Sequence, residues 1–241
     1  MVRKNRLLNL NTFSIVAYDA TSGMLGVAVS TRVPAVGAVC PFARAGVGAI
    51  STQAWTNPLL GVDGLDLLEQ GFSAEEALQK LLDADPDPEM RQIIVVDREG
   101  RSAAHTGSET DPWKGHRTGD GYAVAGNMLV GEETIMAMAQ AFQASADEPL
   151  SERLLRALES GQAAGGDKRG RQSAALYVVK SESYPYLDLR VDEHPDPVVE
   201  LRRVYEVANK ELLPFIEAMP TRENPKGNFG EELKGRMLEK D

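Results

Sequence analysis

Cysteine, histidine and long apolar runs are all scarce in this sequence, and each scarcity excludes something. A single cysteine, Cys40, rules out an intramolecular disulfide and fits a reducing compartment. The three histidines, His105, His116 and His194, stand without metal-ligand spacing, so no metal and no other cofactor is expected. No stretch approaches the ~20 apolar residues of a membrane helix. Met1 to Asn11 carries Arg3, Lys4 and Arg6 ahead of Leu7, Leu8 and Leu10. That is too short and too polar for a secretory signal, whose apolar region takes about 7–15 residues. A cytoplasmic protein with no membrane partner is expected. Positive charge is also in deficit: Lys+Arg 26 against Asp+Glu 36 gives −10. Nucleic acid is bound through basic clusters, so it is not an expected partner either.

What is present describes a globular domain. Hydrophobic residues at 42% and charged residues at 26% lie in the ordinary range. Thr12-Phe13-Ser14-Ile15-Val16-Ala17 and Gly26-Val27-Ala28-Val29-Ser30 read as two strands joined by the turn cluster Asp19 to Gly23. The unbroken Ile15-Val16-Ala17 suits a strand buried on both faces. Val36–Val39 and Gly46–Thr52 read as two further strands. Helical spacing follows over Pro58–Gln70, with Gly71 as its stop. Ser73 and Glu76 form a capping box for a second helix that ends near Asp83. Strands are expected over Arg91–Asp97, Ser102–Thr106 and Tyr122–Ala125, with an exposed loop over Gly107–Gly121. Two helices follow, about Glu132–Ser145 and Leu150–Ser160, with Gly161 as a stop. The last strands are Gln172–Lys180 and Tyr186–Val191. Pro197–Met219 reads as one amphipathic helix, and Thr221–Asp241 as a loosely held polar tail.

Strands, two helices, strands, two helices, strands, helix is not the order of an alternating βαβ protein. It fits an α+β fold in which two stacked antiparallel sheets are covered by helix pairs. No internal repeat or linker divides it. One domain is expected over residues 12–219, after an extension at 1–11 and before a tail at 220–241.

A threonine at the open end of a buried strand has two readings: a β-former starting the strand, or a nucleophile activated by its own amino group. The chain resembles a bacterial family of unknown function, DUF1028, placed with the N-terminal-nucleophile (Ntn) hydrolases. The resemblance rests on Thr12–Ala17, Gly26–Val29, Arg44–Ala49, Thr52-Gln53-Ala54, Ala104–Gly107, Gly126-Asn127 and Gly165–Ala174, in order along most of the chain. It implies a four-layer αββα sandwich with Thr12 as nucleophile, once the preceding residues are removed and its nitrogen is a free amine. The family brings no established substrate. Two departures stand out. Eleven residues precede Thr12, and no lysine occurs between Lys4 and Lys80 to lower the pKa of a nucleophile.

The remaining candidates are weighed beside it. Arg32 is the nearest cation along the chain and could bind a carboxylate; it could equally be a surface arginine at a strand end. Backbone amides near Gly48 and the Asn127 side chain could form an oxyanion hole; they could equally be close packing and a turn. Thr52 and Gln53 could fix a polar substrate. In Gly165–Ser173, Asp167 and Ser173 could orient Thr12 and Arg171 could hold an anionic substrate, or the segment is a solvated loop. No helix follows its glycines, so it is not a phosphate loop. His105, at a strand end, is the histidine placed to face a site, unless it is structural. Cys40 could be a buried structural residue or a thiol nucleophile. Two functions stay open: an amide-bond hydrolase acting on a small amide, or a non-catalytic small-molecule-binding or assembly protein on the same fold. Either would use a small-molecule ligand, and a homodimer that covers exposed sheet edges is expected.

Overall fold

The structure is a computed structural model that describes residues 12–231, 233 and 235. The extension at residues 1–11 lies outside the described residues.

The chain forms β1 (Thr12–Tyr18), β2 (Leu25–Thr31), β3 (Pro41–Arg44), β4 (Gly48–Ala54), α1 (Leu59–Glu69), α2 (Ala74–Ala84), β5 (Arg91–Asp97) and β6 (Ser102–Thr106). It continues through β7 (Gly115–Gly119), β8 (Tyr122–Asn127), α3 (Glu133–Ala144), α4 (Leu150–Ala163), β9 (Ser173–Val179), β10 (Leu187–Val191), α5 (Pro197–Glu211) and α6 (Leu213–Ala218). One sheet has the order β10-β9-β2-β1-β8-β7 and the other β3-β4-β5-β6, with antiparallel neighbours throughout. The fold is therefore mixed α+β with two antiparallel sheets.

Alternation along each strand sets where the side chains go. Phe13, Ile15, Val124, Leu176 and Val178 face α3, α4 and α5, where they meet Met138, Phe142, Leu154, Leu158 and Leu201. On the other sheet Ile50, Ile93 and Val95 meet Leu60, Leu65, Leu78 and Leu81 of α1 and α2. The opposite faces share a third apolar cluster, in which Val16, Val27, Ala123 and Ala125 pack with Ala49, Ile94 and Val96. Both faces of the central strands are thus buried, which explains their unbroken apolar runs.

Local signals act as the sequence predicts in α2, where Ser73 and Glu76 form both halves of the capping box. Five expectations are corrected. Val36–Ala38 is a single 3-10 turn, entered through Ala35 at φ 56, and the strand lies after it at Pro41–Arg44. The 107–121 segment contains β7, whose polar residues suit an edge strand that pairs, among the described residues, only with β8. Gly161 does not stop α4; a Cβ there would lie 2.6 Å from the Met138 side chain, so this glycine lets α3 and α4 approach. The last helix breaks at Leu212, because Pro214 has no N–H to continue it. The described part of the tail is tied down: Asn228 N–H donates to Ala218 O at 2.8 Å, and Phe229 stacks near Phe215 at 5.6 Å.

Candidate functional site

Thr12 opens β1, a central strand of the six-stranded sheet. Its Cα is in register with Thr31 on β2 and Asn127 on β8, and Thr31 is in register with Ser173 on β9. Directly paired residues project to the same face. Phe13 faces the helices, so Thr12 and its partners face the second sheet. The result is a row, Ser173–Thr31–Thr12–Asn127, across one end of the sheet. The Thr12 hydroxyl donates to Thr31 Oγ1 at 3.2 Å. The row is closed off from solvent, with exposures of 0%, 1%, 0% and 2%.

The glycine-rich segment before β9 covers the same end. Asp167 is buried, and its carboxylate accepts from Arg32 N–H at 3.2 Å and Arg169 N–H at 2.8 Å while pairing with the Arg169 guanidinium at 3.1 Å. A β-bridge joins Asp167 to Leu129, just beyond β8. Asp167 thus fastens this segment across the ends of β2 and β8. Gly166 sits at φ 59, and a Cβ there would meet Gln162 Nε2 at 2.9 Å and Phe13 at 3.1 Å. Ser173 Oγ donates to Val33 O at 2.5 Å and accepts from Val36 N–H at 3.1 Å, which fixes the turn after β2. Arg32 is exposed, with its guanidinium on Gln172 Oε1 at 2.5 Å.

The four-stranded sheet supplies the floor. Gln53 and Gln92 are Cα partners, and both are buried. Gln53 Nε2 donates to Gln92 Oε1 at 2.6 Å and reaches Thr12 O at 3.4 Å; its Oε1 accepts from Ser14 Oγ at 2.7 Å. Asn127 Nδ2 donates to Gln92 Oε1 at 3.0 Å. Gln92 Nε2 donates to Gly126 O at 2.9 Å, Thr106 Oγ1 at 2.9 Å and Gly115 O at 3.1 Å. Thr106 Oγ1 in turn meets His116 Nδ1 at 2.8 Å.

Of the residues singled out in the sequence, Thr12, Asn127, Gln53 and Ser173 converge here, with Asp167 and Arg32 bordering them. The others do not join Thr12. Gly48 pairs with Asp97 at the far end of β4, about 17 Å from Gln53 at ~3.3 Å per residue. A Cβ on it would lie 2.4 Å from Leu68, so its role is the close approach of α1 to β4. Thr52 lies between Ser51 and Gln53 and so takes the opposite face, with its hydroxyl on Asn57 O at 3.3 Å. Arg171 pairs with Asp196 at 2.6 Å at the surface. His105 Nε2 bonds Pro88 O at 3.0 Å and lines a separate polar cleft of about 470 Å³, between α2 and the β6 and β7 edges, with Glu75, Gln79 and His116. Burial, then the His105 charge, holds the His116 pKa below its ordinary value. Cys40 is fully buried beside Val29, Val36 and Ala175, and burial pushes its thiol up to about 12, which disfavours the thiolate a nucleophile needs.

Sequence reasoning missed Thr31, Ser14 and Gln92. The signal was available only through pairing: Gln92 precedes the run Ile93–Val96 and Gln53 follows a matching run, so an antiparallel pairing brings them together. Among the described residues no group of three or more His, Cys, Asp or Glu side chains could hold a metal ion, and no helix is long and apolar enough to cross a membrane.

The match to the family model described as "Family of unknown function (DUF1028)" runs over residues 12–201, opening on Thr12, and the chain belongs to that family. No curated protein matches the sequence. The crystal structure of protein SPO2555 from Silicibacter pomeroyi, of the same family, is similar at 31% identity and a TM-score of 0.83, over 90% of this chain and 98% of that one. The Anbu (ancestral beta-subunit) protein from Yersinia bercovieri aligns over 87% of this chain and 98% of its own at 13% identity and a TM-score of 0.38, a likeness too slight to carry an argument.

Proposed function

We propose that this protein is an amide-bond hydrolase of the Ntn type, with Thr12 as the nucleophile once residues 1–11 are removed. One observation carries the reading: Thr12 begins a central strand inside a buried polar row, flanked on either side by Thr31 and Asn127. A threonine that merely started a strand would need no such company. The family match opening on the same residue supports it. The helix-covered pair of sheets is read as the four-layer αββα sandwich of that class.

The chemistry follows from the end of the strand. A freed α-amine has an ordinary pKa of about 7.7–8.0, so roughly a tenth is neutral at pH 7 and able to act as a base. The Thr12 hydroxyl attacks the amide carbonyl and its proton passes through the amine to the departing amine group. Water then hydrolyses the ester. Asn127 has two N–H groups, of which one is committed to Gln92 and the second can serve the oxyanion. Thr31 orients the Thr12 hydroxyl, and Asp167 holds the segment above it. The proposed substrate is a small amide, with Arg32 the cation placed to meet a carboxylate on it.

The deciding measurement is the intact mass and N-terminal sequence of the purified protein. A chain that starts at Thr12 and hydrolyses amides supports the mechanism. Turnover by a chain that retains residues 1–11 sinks it, because the Thr12 nitrogen is then an amide.

The burial of the Thr12 row favours a second reading for the uncleaved chain, as a small-molecule-binding protein. Ligand-induced thermal stabilisation that persists in Thr12→Ala, with no turnover, is its signature.

A further inference from the structure

We infer that Gln92 is a positioning residue for the Thr12 site, holding the Asn127 carboxamide and, through Gln53, the Thr12 carbonyl in one orientation.

The argument is one of hydrogen-bond polarity. Backbone carbonyls only accept. Two of them, Gly126 O at 2.9 Å and Gly115 O at 3.1 Å, face one side of the Gln92 carboxamide, so that side must be the amide nitrogen. Its two N–H groups are shared among these carbonyls and Thr106 Oγ1. The Gln92 oxygen therefore faces the other way, toward Gln53 at 2.6 Å and Asn127 at 3.0 Å, and both must present N–H to it. The Gln53 nitrogen is fixed a second time by Thr12 O at 3.4 Å, which leaves the Gln53 oxygen to accept from Ser14. Turning Gln92 over would set its oxygen against two carbonyl oxygens, unpaired and with no exposed surface, at a cost of several such bonds. A residue of the four-stranded sheet thus dictates which way a side chain of the six-stranded sheet points. The bond to Gly126 O also holds the backbone immediately before Asn127.

The orientation stands on geometry alone; its bearing on catalysis rests on the reading of Thr12 as the nucleophile. The test therefore reads the two separately. The first readout is hydrogen exchange of the Asn127 and Gln53 side-chain amides by nitrogen-edited NMR on the full chain. In the wild type both are expected to exchange at least about tenfold more slowly than a solvent-exposed amide. Gln92→Leu, which removes the acceptor, returns Asn127 toward the exposed rate. Thr106→Val, which removes only a partner on the nitrogen side, leaves Asn127 slow. Wild-type exchange of Asn127 at the exposed rate, or unchanged exchange in a folded Gln92→Leu protein, overturns the inference. If Gln92→Leu does not fold, the wild-type rate and the Thr106→Val variant decide it.

The second readout is acylation of a chain beginning at Thr12 by a β-lactone. The Thr12 oxygen bonds to the lactone carbonyl, the ring C–O bond breaks, the hydroxyl proton ends on the ring oxygen, and the mass rises by one lactone. Gln92→Leu is expected to slow this step, and labelling at the wild-type rate overturns the catalytic part. Failure of the wild type itself to label, with Asn127 protected as described, refutes the nucleophile and leaves the orientation standing.

Discussion

Replacing Thr12 separates chemistry from stability, because the structure gives this residue a share in both. Its hydroxyl is bonded to Thr31 Oγ1 and its methyl is fully buried. Thr12→Ala removes one net hydrogen bond, about 0.5–1.5 kcal/mol, and one buried methyl group, about 0.8 kcal/mol. The fold should lose about 1.3–2.3 kcal/mol, which for a chain of this size lowers Tm by roughly 3–9 °C. Thr12→Ser retains the hydroxyl and the amine, so it should lose only the methyl contribution. Calorimetry on the processed proteins measures the first effect. Amine or ammonia release from a panel of small amides measures the second: Thr12→Ala should fall to the buffer background while Thr12→Ser still turns over. Hydrolysis by Thr12→Ala at the wild-type rate would refute the nucleophile. An unchanged Tm in Thr12→Ala would refute the buried, hydrogen-bonded geometry on which the site is built.

Two further predictions concern residues outside the Thr12 row. Gly48→Ala pushes a Cβ against Leu68 and, at 2.8 Å, against the Val96 carbonyl, which cannot yield cheaply. It should destabilise the fold by about 1–3 kcal/mol with kcat intact; a selective loss of turnover at unchanged Tm would return Gly48 to the oxyanion hole. Partial desolvation in the cleft, then the His105 charge, holds the His116 pKa below its ordinary 6.5. The unfolded chain then binds more protons than the folded one, so stability is full above about pH 6.5 and declines as the pH falls below it. His116→Gln should lose less Tm than the wild type between about pH 7.5 and pH 5.5, a range that spans the ordinary histidine pKa; identical pH slopes would count against a lowered His116 pKa.

How far the sequence reached depended on the kind of signal. Apolar runs such as Ile93–Val96 and Leu176–Val179, the Ser73–Glu76 box and the Asp19–Gly23 turn are local, and the elements formed where the pattern put them. β7 was hidden because an edge strand needs no apolar residues, only a partner for its backbone. Gly161 misled because a glycine can end a helix or let another helix approach, and only the position of Met138 distinguishes the two. Of the site, Thr12 was legible as a strand opening and the 165–173 segment as an unusual strand entry. Gly48 and Thr52 were misplaced because proximity along a strand hides both the far end and the alternate face.

The sequence by itself determined most of the strands, β3 and β7 excepted, where α1 to α5 start, and that a threonine stands at the head of a doubly buried strand. These follow from short-range periodicity and capping, which a linear reading contains. Only the tertiary structure decided which polar side chains meet. A shift of one residue in register turns every side chain of a strand to its other face. Nothing within β1 alone says that Thr31 and Asn127 flank Thr12, and nothing within β5 alone says that Gln92 reaches across to them. That assembly is set by how two sheets pair, twist and pack against each other.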